Sequence, residues 1–310
     1  MIYLKKIFCC CLIIFSSLFS HAQKSEIPNI SITGIPGLAA DSTRKVCISN
    51  LLVNGTKRTK IYIVYRELQF TKGDSIQISQ LVKELQQARQ QVYNTTLFNE
   101  VKLEVVAMDE YNINITVNVK ERWYLYPVPQ FQWVDRNFNE WWKTYNHSLK
   151  RVNYGIKFVH YNLSGRRDQL NIYLINGYSR NISFAYSNPY SNSSLNRGFS
   201  VSAGYTQNRE VAYNTSNDNT IMFYPPDSIR KQTNDFVRNS WYFNVGYQVR
   251  KGFFSRQYFA AGYSFLKVDD SVVIKNPRYF KDSVTAKGYP ELAYTYQYRN
   301  VDNISYSLKG

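Results

Sequence analysis

The chain is poor in groups that perform covalent chemistry. Beyond its N-terminal leader it carries two histidines, His147 and His160, and one cysteine, Cys47. No Gly-x-Ser-x-Gly elbow, His-Glu-x-x-His pair or Cys/His cluster accompanies them. Asp269-Asp270 lacks the oxygen spacing of a calcium loop. The histidines read as surface residues, one in a loop and one at a strand end. Neither a metal nor a cofactor is expected, and an enzyme is the weakest functional class. The chemistry on offer is that of the backbone: runs of alternating apolar and polar residues make strands, and an unpaired strand edge accepts another strand.

The compartment in which such pairing would occur is written at the N-terminus. Lys5 and Lys6 precede an apolar run, Ile7 to Phe19, and Ser20-His21-Ala22 forms a small-residue cleavage site before Gln23. This is the pattern of a secretory signal peptide over residues 1–22. Cys9, Cys10 and Cys11 fall inside it, so Cys47 alone survives and no intrachain disulfide is available. The net charge of +16 raises nucleic acid or anionic lipid as partners. Export removes most nucleic-acid roles, the basic residues are scattered over turns, and no nucleic-acid partner is expected. With 27 tyrosines, 18 phenylalanines and a mean hydropathy of −0.41, the composition suits strands that alternate between lipid and lumen. It suits a soluble β-sandwich equally.

After a linker over residues 23–45, residues 46–121 read as a small mixed domain. Val46 to Asn54 is a strand ending at the turn pair Asn54-Gly55. Ile61 to Tyr65 is divided: its composition favours a strand, while Ile61, Val64, Tyr65 and Leu68 share one helical face. Ile78, Leu81, Val82, Leu85, Ala88 and Val92 mark a clearer helix, with Ser79 as N-cap and Asn94 as stop. Val101, Leu103 and Val105, then Ile113, Ile115, Val117 and Val119, form a hairpin turning near Asp109-Glu110.

The stretches ISNLLVNGTKRTKIYIVYRELQFTKGDSI, ARQQVYNTTLFNEVKLEV and INITVNVKER, in that order, resemble a POTRA domain. The resemblance implies the order β-α-α-β-β and makes Ile61–Leu68 the first helix. Thr59 then caps that helix, and Arg66 and Glu67 lie on its exposed side. It further implies the sheet order first, third, second strand. The second strand, Val101, Lys102, Leu103, Glu104 and Val105, becomes an edge that accepts a client peptide by β-augmentation. Alternatively, Lys102 and Glu104 only guard that edge against aggregation.

Alternation persists through residues 122–310, in segments near the length of a tilted membrane strand with aromatics toward their ends. The connections expected on one side, 136–150, 208–238 and 269–289, are long, apart from a short turn near Ser179. Those on the other, 162–167, 191–196, 252–256 and 299–303, are short. VDRNFNEWW, RVNYGIKFVHYNLSGRRDQL and SFAYSNPY resemble the opening barrel strands of BamA/TamA-like outer-membrane proteins, in their single-POTRA form. Eight strands are expected, with Ile304, Tyr306 and Leu308 starting a ninth, so the chain reads as the first part of a longer barrel. An eight-stranded barrel closing at Tyr298 is the alternative.

The expected fold is therefore an α+β POTRA domain followed by an antiparallel transmembrane β-barrel, about half of whose strands are present. The resemblance implies insertion or translocation of other polypeptides at the outer membrane of a diderm bacterium, with the POTRA domain in the periplasm. Its partners would be unfolded outer-membrane or secreted polypeptides, outer-membrane lipid and periplasmic accessory proteins. A seam would lie along the first barrel strand at Tyr124, Pro127, Pro129, Phe131 and Trp133, because each proline removes a ladder donor and belongs on an edge; a kinked linker between the domains is the alternative reading of the two prolines. The competing expectation is a passive porin or structural anchor with a tethering domain.

Overall fold

The computed structural model describes residues 29–34, 43–134, 137–143, 146–147, 151–216, 219–223, 236–281 and 283–308. The signal-peptide segment lies outside them. In chain order the first part runs β1 (Ile30–Thr33), β2 (Lys45–Asn54), α1 (Ile61–Tyr65), β3 (Ser75–Gln77), α2 (Ile78–Tyr93), β4 (Phe98–Ala107) and β5 (Asn112–Glu121). The second contains β6 (Leu125–Trp133), α3 (Phe138–Lys143), β7 (Val152–Tyr161), β8 (Gln169–Gly177), β9 (Arg180–Asn188), β10 (Arg197–Asn208), β11 (Val211–Ser216) and β12 (Asn219–Phe223). It ends with β13 (Arg238–Lys251), β14 (Ser255–Val268), α4 (Asp270–Lys275) and β15 (Ala286–Tyr298).

The first sheet has the order β1-β4-β5-β2-β3. Its central three strands keep the expected order, first, third, second. The alternation in β4 and β5 places Val101, Leu103, Val105, Ile113, Ile115 and Val117 in the core, each 1% exposed or less. Leu81, Leu85, Ala88 and Val92 of α2 close over them, fully buried. Ile63 and Val64 of α1 are fully buried as well, and burying each such aliphatic side chain, about 1.5–3 kcal/mol, outweighs the β propensity of Ile61–Tyr65.

Several local expectations give way. The first helix stops at Tyr65, and Leu68 is buried beyond its end. Ser79 lies inside α2, whose N-cap is Gln77, because Ser75–Gln77 is held extended by pairing with Lys45–Cys47. Asn94 does end the helix. Asp109 turns the hairpin by accepting the amides of Tyr111 and Asn112, both at 2.8 Å.

The second sheet is a sequential meander of eight antiparallel strands, β6-β7-β8-β9-β10-β13-β14-β15, whose two outer strands do not pair with each other. One face carries Tyr154, Phe158, Leu174, Ile182, Phe184, Phe199, Tyr205, Trp241, Phe243, Tyr247, Phe259, Tyr263, Leu292 and Tyr294, all exposed. The register sets them side by side, as in Tyr205–Trp241–Phe265 and Phe199–Tyr247–Phe259. The other face carries Ser200, Ser202, Gly204, Asn244, Gly246 and Gln248. An apolar face this continuous is far larger than a monomer leaves to water, and it matches the lipid side of a barrel wall. No helix among the described residues is long and apolar enough to cross a membrane.

The long connections gather at one end. There Val211 and Phe223 of the β11–β12 hairpin pack with Val237, Val268, Val272 and Val273 in a small core of their own. The short connections gather at the other end, against the first domain. Among the described residues, 301–308 do not form the expected ninth strand; Ile304 donates its amide to Asn94 Oδ1 of the first domain at 3.1 Å.

Candidate functional site

Three features bear on strand handling: the outer edge of β4, the junction between the domains, and the outer edge of β6. Along β4, Lys102 and Glu104 point to solvent while Val101, Leu103 and Val105 point inward. Leu103 N–H donates outward to Asn29 O at 2.9 Å, so Val101, Leu103 and Val105 form the row of edge-facing backbone groups. This edge is not left open as expected. β1, from the segment read as linker, pairs with it in parallel, Ile30 opposite Leu103 and Thr33 opposite Val106. Thr33 Oγ1 adds a bond to Val105 O at 3.3 Å, and Arg89 Nε of α2 reaches Val101 O at 3.1 Å.

The junction is built on Glu67. Rather than lying on an exposed face of the first helix, its side chain is 2% exposed and paired with Arg250 at the inner end of β13. Arg250 Nη1 and Nη2 donate to its two oxygens at 2.6 and 2.7 Å, and Tyr190 Oη donates to Oε1 at 2.7 Å. Burial alone would raise the Glu67 pKa; the Arg250 bonds and charge, aided by Arg167 and Tyr190, outweigh it and hold the carboxyl below its ordinary value. Beside it Arg66 donates to Leu195 O at 3.3 Å and Gly252 O at 3.1 Å.

Thr59 does not cap the first helix. It is 5% exposed, contacts Tyr124 Oη at 3.0 Å and accepts from Asn162 Nδ2 at 2.9 Å. The amides before the helix go to Glu121 instead, from Lys57 at 3.1 Å, Arg58 at 3.0 Å and Thr59 at 2.7 Å. Burial pushes the Glu121 carboxyl up, but these donors pull it below the ordinary range. Lys60 N–H donates to Gly165 O at 2.9 Å. Asn94 holds the last inner turn through Nδ2 to Val301 O, 2.9 Å. Each of the short connections of the sheet is thus bonded to the first domain.

On β6 the hydrogen bonds at both ends fix the row. Tyr161 N–H donates to Tyr124 O at 2.8 Å and Val134 N–H to Arg151 O at 3.1 Å, so even-numbered positions face β7. Pro127, Pro129, Phe131 and Trp133 therefore present their backbone to the unpaired side. Pro127 and Pro129 offer that row acceptors only. In the outer half Phe131 and Trp133 keep their amides, and their rings meet Trp141 and Phe138 of α3 at 6.4 and 5.6 Å. Tyr124 belongs to the junction, not to this edge: it is 5% exposed and donates to Leu97 O at 3.1 Å.

The two histidines lie apart, each against a different neighbour. His147 stacks near Trp142 at 4.8 Å, and His160 Nε2 lies 3.2 Å from Arg58 Nη1 in the junction. Among the described residues no three His, Cys, Asp or Glu side chains group as metal ligands. The buried role of Glu67 and the strand at Ile30–Thr33 were both missed in the sequence; the only local signal for the latter is the Ile-x-Ile alternation.

Residues 46–122 match the family model of the POTRA domain, described as surface antigen variable number repeat. No curated protein sequence matches the chain. Among solved structures it is similar to BamA from Haemophilus ducreyi lacking POTRA domains 1-3, at 13% identity and TM-score 0.49, over 87% of this chain and 47% of that one. It is similar also to CdiB from Acinetobacter baumannii (11%, TM-score 0.38, 84% and 44%) and to CdiB from Escherichia coli (10%, 0.39, 72% and 37%). The chain spans less than half the length of each of these three structures.

Proposed function

We propose that this chain, a POTRA domain joined to the opening strands of a BamA/TamA-like outer-membrane β-barrel, inserts or translocates other polypeptides at the outer membrane of a diderm bacterium. The POTRA domain stands in the periplasm and the apolar face of the meander meets lipid. The process is non-enzymatic and uses no cofactor: unfolded outer-membrane or secreted chains are held by backbone pairing, and periplasmic accessory proteins deliver them.

The observation that carries this reading is the junction. The POTRA domain sits on the short turns of a sheet whose first strand, β6, carries two prolines on the row that faces away from β7, and only three residues separate β5 from β6. Phe98, at the start of β4, lies opposite Glu121. A strand received at the β4 edge is thereby brought to the inner end of β6, and pairing onward to Phe131 and Trp133 in the outer half of that strand completes its transfer. Every such pairing satisfies backbone groups that lipid would leave bare.

Depletion of the protein tests the reading. The outer-membrane levels of other barrel proteins should fall, and photocrosslinkers at Val128 and Phe131 should trap client segments. A passive porin or anchor predicts unchanged barrel levels and no such adducts; that result would overturn the proposal.

A further inference from the structure

β1 is four residues long, and its place on the sheet is specific. It runs parallel to β4 with Ile30 opposite Leu103 and Ile32 opposite Val105, and both isoleucines pack on the domain core. Ser31 and Thr33 alternate with them toward solvent. Asn29 O receives the Leu103 amide. By the slanted ladder of a parallel pair, the amides of Ser31 and Thr33 are the donors that face β4. Gly34, at φ +79°, ends the strand in a conformation that favours glycine. So short a strand, from a segment on the far side of the sheet from β2, holds its place by two half-buried side chains and a few backbone bonds.

We infer that β1 is an exchangeable occupant of the β4 edge, and that the edge selects extended segments running parallel to Val101–Val105 with β-branched aliphatic side chains two residues apart. This deepens the proposed function and rests on it for the identity of the incoming chain. The specificity lies in the two positions filled by Ile30 and Ile32, which lead into a core whose β4 members are fully buried. The backbone row supplies affinity without regard to sequence. Because β1 is tethered, it competes at high effective concentration, and a client must outbid it or be delivered in a form that displaces it. The edge is thus protected against aggregation when no client is present.

The test uses the full chain in detergent micelles and a fluorescent peptide of the sequence Asn-Ile-Ser-Ile-Thr-Gly. Ile30→Glu with Ile32→Glu releases the tethered strand. Ser31→Cys with Glu104→Cys, in a Cys47→Ser background, locks it: the two positions are register partners with exposed side chains. Neighbouring strands lie about 4.8 Å apart, within reach of a disulfide. The released form should bind the peptide at least about tenfold more tightly than the parent. The oxidised lock should bind none until reduced, and a peptide with Glu at both isoleucine positions should bind none of the forms. Equal binding to locked and released forms overturns the inference. So does absent binding to a released form whose β5 amides keep native exchange protection. If depletion leaves barrel proteins unchanged, the assembly reading fails while the peptide result stands; if the peptide result fails while barrel levels still depend on the protein, only the edge device is lost.

Discussion

Arg250 grips the carboxylate of Glu67 with both terminal guanidinium nitrogens, across 183 residues of sequence. The pair is dry on both sides, so it specifies one docking of the POTRA domain on the meander. Fully buried pairs of this kind cost desolvation that good geometry only just offsets, yet losing one partner strands the other charge.

Glu67→Ala should therefore destabilise the docked form by about 3–5 kcal/mol. Arg250→Met should do the same, and Glu67→Leu with Arg250→Met should recover most of the loss. Urea unfolding of the reconstituted chain, read as a double-mutant cycle, checks this.

Acid should release the junction. Glu67 and Glu121 both have folded pKa values below their ordinary ones. A carboxylate depressed on folding stabilises fully above its unfolded pKa, about 4.3, and loses that contribution as pH falls through the folded value. Proteolysis of the Arg122–Tyr124 link should be slow at neutral pH and accelerate only below about pH 4. Glu67→Gln should be cleaved faster already at neutral pH and show a flatter acid limb.

Gly165 should not tolerate a side chain. Its φ is +83°, and a Cβ there would sit 2.3 Å from Arg58 O, where Lys60 also donates to Gly165 O. Gly165→Ala should loosen the docking by roughly 1–3 kcal/mol, the cost of strain plus a displaced backbone bond. Amide exchange at Lys60 should rise in that variant while β5 stays protected.

Replacing both prolines of β6 should make its outward backbone row a better pairing surface. Pro127→Val with Pro129→Val restores two amides on the unpaired row, making a longer flat edge. Self-association of the reconstituted chain should increase at least about twofold at equal concentration, measured by light scattering. Unchanged association would show that the missing donors do not control pairing there.

Much of this architecture was legible because it depends on period and loop length. The alternation of Trp241, Phe243, Val245 and Tyr247 reports two different solvents, and the short turns mark the side on which the POTRA domain must sit. The Asn94 stop and the Asp109 turn are local chemistry. What stayed hidden depends on distant partners. Glu67 looks like a solvated helix-end charge until Arg250 and Tyr190 are brought to it, and Thr59 looks like a cap until Glu121 takes the amides. β1 is too short to announce itself, and its ladder is supplied by residues about seventy positions away. Ile304, Tyr306 and Leu308 have the right period for a strand, but period is silent about a competing bond to Asn94.

The inner turns are each fastened to the POTRA domain by separate bonds, at Gly165, Leu195, Gly252 and Val301. These anchor points span the meander from β7 to β15, so the domain acts as a jig that sets the curvature of the wall at its base. The wall cannot flatten or tighten there as a whole without all four fastenings yielding together. It can peel from one flank, fastening by fastening, which makes the least restrained flank the natural starting line for any widening.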